Sequence, residues 1–146
     1  MFESNRFPRF AELFSGRPHA WAHVSGGGSY PQISGTVKFY QTVYGVVVVA
    51  ELSGLPSPKG ACKSPIFGFH IHTGERCAGN KTDPFALAGT HYNPENCPHP
   101  YHKGDLPPLL SANGYAFSAF LTDRFFVEEI IGRTVVVHSS PDDFTT

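Results

Sequence analysis

The stretch ISGTVKFYQTVYGVVVVAEL, residues 33–52, decides the fold. From Ile33 to Gln41 the chain alternates, with Ile33, Gly35, Val37 and Phe39 on one side and Ser34, Thr36, Lys38 and Tyr40 on the other. That period of two belongs to a half-buried β-strand. Val46–Leu52 is β-branched and follows a Thr42–Gly45 turn, so the two segments are predicted to form a hairpin. Working outward, the same signal recurs. Ala20–Val24 reads as a short strand stopped by Gly26-Gly27-Gly28. Phe67–Thr73 alternates Phe67, Phe69 and Ile71 against Gly68, His70 and His72. Tyr115–Leu121 follows the turn signal Asn113-Gly114, and Thr134–His138 is the last strand. Helical periodicity is weak, with room for a single turn in Phe10–Ser15 and in Arg124–Ile131. Short strands with Gly and Pro spread between them predict an all-β sandwich or barrel carrying two long loops, 53–66 and 74–112. A connection as long as the second is usually functional.

Composition narrows the function classes. The chain has 146 residues, which suits one domain with one core. A net charge of −1 and the lack of a Lys/Arg run exclude a nucleic-acid partner. The longest apolar run, Val46–Ala50, is far too short to span a membrane. Met1–Phe14 is interrupted by Glu3, Arg6, Arg9 and Glu12, unlike a secretory leader, so a cytoplasmic location is expected. The cysteines Cys62, Cys77 and Cys97 are odd in number and form no C-x-x-C pair. They read either as ordinary thiols or as a pairing of Cys62 with Cys97, or of Cys77 with something else.

Six of the eight histidines fall in one ordered array with an aspartate: His70, His72, His91, His99, His102, Asp105 and His138. Imidazole is the commonest protein ligand for copper and zinc. Seven ligands are too many for one four-coordinate ion and about right for two ions sharing one ligand. His70 and His72 lie two apart on a strand and project from one face, while Phe69 and Ile71 fill the core behind. His99, His102 and Asp105 offer two imidazoles and a carboxylate within seven residues; a further histidine would complete a closed, zinc-like set. Each piece has a plainer reading: a chance H-x-H, a structural histidine at a strand end, a polar surface turn. The joint pattern is what argues for metal.

These residues also carry a resemblance. The segments Gly68-Phe69-His70-Ile71-His72, Ala88-Gly89-Thr90-His91-Tyr92-Asn93-Pro94, His102-Lys103-Gly104-Asp105-Leu106 and Gly132-Arg133-Thr134-Val135-Val136-Val137-His138, followed by Asp142-Asp143, stand in this order. Together they resemble the copper–zinc superoxide dismutase family, in its bacterial-type branch. The resemblance covers residues 19–146 as one domain and leaves 1–18 as an N-terminal extension. It implies a Greek-key β-sandwich or flattened barrel. His70, His72, His91 and His138 would bind copper, and His91, His99, His102 and Asp105 would bind zinc, with His91 bridging. Asp142 would accept hydrogen bonds from His70 and His99 and so fix their tautomers. The implied activity is disproportionation of superoxide to dioxygen and hydrogen peroxide, in which copper cycles and zinc holds the loop. A non-catalytic copper- or zinc-binding protein is the alternative. Family members are often dimers, so a homodimer is implied without a contact surface.

The sequence departs from the family in two places. Only Pro100 and Tyr101 separate His99 from His102, which shortens the zinc loop and is expected to strain it. The sequence ends at Thr146, before the family's last strand, its superoxide-guiding arginine and the disulfide partner of the cysteine that Cys77 matches. An open sheet edge beside Thr134–Val137 is therefore expected, and Cys62 or Cys97 becomes the candidate partner for Cys77.

Overall fold

A computed structural model describes residues 16–143 apart from Ala61 and Ser64. The single turn expected at Phe10–Ser15 and most of the N-terminal extension lie outside the described residues. The elements are β1 (Ala20–Ser25), β2 (Ser34–Thr42), β3 (Gly45–Ser53), β4 (Ile66–Phe67), β5 (Phe69–His72), a 3-10 turn (Ala86–Ala88), β6 (Leu109–Leu110), β7 (Ala116–Thr122), α1 (Val127–Ile130) and β8 (Thr134–Val137).

The hairpin forms where the alternation places it. β2 pairs antiparallel with β3, and Thr42 faces Gly45 across the two-residue loop Val43-Tyr44. The Thr42 hydroxyl donates to the Gly45 carbonyl at 2.8 Å and accepts the Tyr44 N–H at 3.1 Å. Gly45 has φ +133°, and a Cβ there would lie 2.4 Å from the Thr122 carbonyl oxygen, so only glycine fits the turn. One four-stranded sheet runs β1-β2-β3-β7, and two short antiparallel pairs, β4-β6 and β5-β8, make the opposing layer. The layers enclose a single core. Val37, Phe39, Val46, Val48, Ala50 and Leu52 face it from the large sheet, and Phe67, Phe69, Ile71 and Leu109 face it from the other side. Phe125, Val127 and Ile130, in and beside α1, join the same core. The result is an all-β sandwich. Among the described residues, β8 is paired on one edge only, by β5. No described helix is long and apolar enough to cross a membrane.

Two expectations change. The strand read as Phe67–Thr73 is split into β4 and β5 at Gly68. Gly68 N–H is taken by the Ser140 carbonyl and its carbonyl by His138 N–H, at 3.0 and 2.8 Å. The chain there leaves one partner for another, a switch that alternation alone does not encode. Nor do the cysteines pair: among the described residues Cys62, Cys77 and Cys97 are all free. Cys97 is instead held in a local turn. Its N–H bonds the Asn93 side-chain oxygen at 2.9 Å, and its carbonyl accepts from Asn93 Nδ2 at 2.8 Å.

Candidate metal centre

β5 is the platform of the site. Phe69 and Ile71 are buried in the core, each contributing about 1.5–3 kcal/mol by leaving water. Anchoring those two side chains turns His70 and His72 to the opposite face, where both are also buried. β8 pairs one edge of β5, with Phe69 opposite Val137 and His72 opposite Thr134. His138 follows directly, opposite Gly68, with its ring centroid 4.8 Å from that of His70 and 5.4 Å from that of His72. The other edge of β5 is taken by the long loop. Thr73 N–H bonds the Thr90 carbonyl, Tyr92 N–H the Ile71 carbonyl, and Ile71 N–H the Gly104 carbonyl, each at 2.8 Å. Isolated bridges then set His91 beside His72 and Asp105 beside His70. The loop is stitched to the strand at its entry and its exit, and its ligand-bearing middle is held over the histidines.

The approach at Gly104 is close. A Cβ there would lie 2.3 Å from the Ile71 carbonyl oxygen and 3.0 Å from Tyr92 N. A side chain at this position would push the loop off β5.

Two sets of ligand atoms converge, one from His70, His72, His91 and His138 and one from His91, His99, His102 and Asp105. His91 is their only shared member. In the first set the donor nitrogens are identified by what the other ring nitrogen does. His70 Nε2 bonds Asp142 Oδ2 at 2.7 Å, and its buried Nδ1 has no hydrogen-bond partner. His72 Nδ1 bonds the Gly89 carbonyl at 2.9 Å, leaving its Nε2 3.4 Å from His138 Nε2. In the second set, His91 Nδ1 lies 3.2 Å from His102 Nδ1 and 2.9 Å from Asp105 Oδ1, an oxygen that accepts no aligned hydrogen bond. Asp105 Oδ2 faces His99 Nδ1 at 2.8 Å and takes the His102 N–H at 3.0 Å.

These separations test the fit to a metal. With metal–nitrogen bonds of about 2.0–2.1 Å, neighbouring ligands of a tetrahedral ion lie roughly 3.3–3.4 Å apart. The 3.4 Å and 3.2 Å nitrogen pairs lie close to that edge, and His70 Nδ1 and Asp105 Oδ1 are buried lone-pair atoms without a hydrogen bond that a cation would satisfy. The residues fit two ions. A third convergence, of His70, His99 and Asp142, is of another kind. Asp142 takes His70 Nε2 and His99 Nε2 at 2.7 Å each, which is hydrogen-bond length, on the ring atoms that face away from the two sets.

Charge follows the same division. Burial pushes the pKa of His70, His72, His91 and His138 below the ordinary histidine value. The neutral imidazoles so favoured keep a lone pair for a cation. Burial also acts against protonation of His99, but the hydrogen bond to Asp142 and the charge of Asp105 outweigh it and raise its pKa.

All seven residues of the array and Asp142 are thus brought together, and the short Pro100-Tyr101 link does not keep His99 from His102. Of the two histidines outside the array, His19 accepts the Gln41 N–H at 3.1 Å, and His23 lies on β1. A cleft of about 310 Å³, lined by Gly68, His70, His91 and His138 among others, opens onto the first set.

Sequence reasoning passed over three contributors. The Gly89 carbonyl orients His72. Glu129 in α1 accepts from Lys103 Nζ at 2.8 Å, the Tyr92 hydroxyl at 3.3 Å and the Phe126 N–H at 2.6 Å, tying the helix to the loop. Arg124 reaches the loop's carbonyls from the end of β7. The Glu129 spacing after Phe126 is a cap-like signal that could have been read. Nothing in the spacing marks the other two.

Comparison with known proteins gives a consistent set of relatives. Residues 33–146 match the family model described as copper/zinc superoxide dismutase. The chain is 32% identical over 125 residues to "Superoxide dismutase [Cu-Zn]" of Legionella pneumophila, covering 81% of this chain and 70% of that one. It is 31% identical over 133 residues to the protein of the same name from Deinococcus radiodurans, covering 79% and 69%. Against "Extracellular superoxide dismutase [Cu-Zn]" of Mus musculus it is 33% identical over 118 residues, covering 77% of this chain and 44% of the mouse protein.

Proposed function

Because the chain belongs to the copper/zinc superoxide dismutase family, we propose that it disproportionates superoxide to dioxygen and hydrogen peroxide at a copper centre beside a zinc. The observation that carries this reading is the pair of convergent ligand sets whose single shared member is His91. His70 through Nδ1 and His72 and His138 through Nε2 would hold copper, with His91 as the fourth ligand. His91 through Nδ1, His99, His102 and Asp105 would hold zinc. Copper, when bound, supplies the one-electron chemistry that oxidises one superoxide and reduces a second.

The protein's part is to bind, orient and move a proton. Asp142 fixes the tautomers of His70 and His99 by accepting from both Nε2 atoms, so each ring presents Nδ1 to its ion. The Gly89 carbonyl does the same for His72 in the opposite sense, freeing Nε2. His91 faces both sets, with Nδ1 toward His102 and Asp105, so Nε2 is the ring atom that would take up a proton and pass it on. The cleft beside His91 and His138 admits a small anion and water.

The rest of the reading concerns setting. Residues 19–146 form the catalytic domain and 1–18 an N-terminal extension. Three free thiols suit a reducing compartment, which favours a cytoplasmic site of action. A homodimer is part of the proposal on the family likeness alone. The test is direct. Protein loaded with copper and zinc should accelerate superoxide decay, and His138→Ala should abolish the effect. A loaded wild type no faster than buffer would leave a non-catalytic metal-binding protein instead.

A further inference from the structure

We infer that Arg124 is a positioning residue for zinc: its guanidinium gathers the backbone carbonyls of the short loop and holds His99, His102 and Asp105 in ligating shape. Arg124 Nη1 donates to the Pro100 carbonyl at 3.0 Å, the His102 carbonyl at 3.2 Å and the Asp105 carbonyl at 3.1 Å. Those three oxygens belong to two of the zinc ligands and to the residue after the third. The arginine comes from just beyond β7, 19 to 24 residues further along the chain. It is braced there by its own N–H on the Thr122 hydroxyl at 3.3 Å.

Electrostatics explains why a cation is needed. Three carbonyl dipoles turned toward one point repel each other, and the loop would open to hydrate them. A guanidinium at that point reverses the sign of the interaction and makes charge-assisted bonds. Internal backbone–backbone hydrogen bonds in this stretch are Tyr101 N–H to Pro98 and Asp105 N–H to His102, at 2.8 and 3.1 Å, and the others, from His99 Nδ1 and the His102 N–H, go to the Asp105 carboxylate that would itself bind zinc. The copper set has separate support. His70 and His72 lie on β5, and His138 follows β8 with its N–H on the Gly68 carbonyl. Loss of Arg124 should therefore act on zinc and spare copper.

This inference rests on the assignment of zinc to His91, His99, His102 and Asp105. The probe is Co(II), whose d–d bands report a tetrahedral site, titrated alongside Cu(II) followed by its electron paramagnetic resonance spectrum. In Arg124→Ala, Co(II) affinity should fall about 10- to 100-fold with the Cu(II) spectrum and affinity unchanged. Arg124→Lys should recover part of the loss, since an ammonium has three donors but a shorter reach. Should the alanine variant fail to fold, Arg124→Gln against Arg124→Lys makes the same comparison. Unchanged Co(II) affinity overturns the inference. So does a parallel loss of both metals with a lowered apo-protein melting temperature, which would mark a merely structural anchor. A wild type that gives no Co(II) bands is a different failure: it removes the zinc assignment itself, and the inference with it.

Discussion

Asp142→Asn should separate the two metal sets from their common support. The carboxylate accepts from His70 Nε2 on Oδ2 and from His99 Nε2 on Oδ1, both at 2.7 Å. Both rings are buried, with side-chain exposures of 5% and 2%, so water cannot replace a lost partner easily. Asparagine matches the shape but offers one acceptor and turns the second position into a donor. One of the two ring N–H groups then meets an N–H. A charge-assisted hydrogen bond is worth about 1.5–3 kcal/mol. Losing one translates into roughly 10- to 150-fold in affinity for the ion whose ligand is released. The assay is competition for copper and for zinc against a chromophoric chelator, with circular dichroism to show that the apo fold persists. At least one affinity should fall by about tenfold or more. Retention of both affinities within about threefold of wild type would refute the view that Asp142 orients the rings.

The loop and the helix that braces it can be perturbed separately. Gly104→Ala places a Cβ 2.3 Å from the Ile71 carbonyl, so the loop or the strand must shift, at a cost of about 1–3 kcal/mol in urea unfolding; a variant as stable as wild type would show that the contact relaxes freely. Glu129 is held below the ordinary carboxylate value by its hydrogen bonds to Lys103 and to the Phe126 N–H. A depressed carboxylate adds stability that is present above its unfolded value and lost as pH falls through the lower folded one. The melting-temperature advantage of the apo wild type over Glu129→Gln should therefore be present at neutral pH and vanish in acid. An advantage independent of pH would mean that the charge of Glu129 is not what ties α1 to the loop.

Much of the sandwich was legible because its strands are half-buried. Alternation in Ile33–Gln41 and the β-branched run Val46–Leu52 fix both strands and the turn between them. The convergence of the histidine array was legible because His70 and His72 sit at strand spacing, His138 ends a Val run and the others share one loop; its division between two ions is what the family resemblance implied. Tertiary partners were not legible. Gly68 breaks a strand because Ser140 and His138 bond its backbone, and nothing near residue 68 announces that. Cys97 lies in a turn that Asn93 closes through its backbone, and the spacing of the cysteines does not announce that all three are free. Arg124 looks like any charged residue after a strand; only the folded chain brings the loop carbonyls to its guanidinium. The short link between His99 and His102 was expected to strain the zinc set, yet the ligand atoms converge; backbone bonds from outside the link hold the loop.

The central claim is that one imidazole, His91, is shared by two ions. Diffraction from the copper- and zinc-loaded protein, with anomalous data at both metal edges, tests it most directly. The account predicts a copper peak at His70 Nδ1, His72 Nε2 and His138 Nε2, a zinc peak at His99, His102 and Asp105, and the His91 ring between them. A single peak, or two peaks that do not share His91, would contradict it.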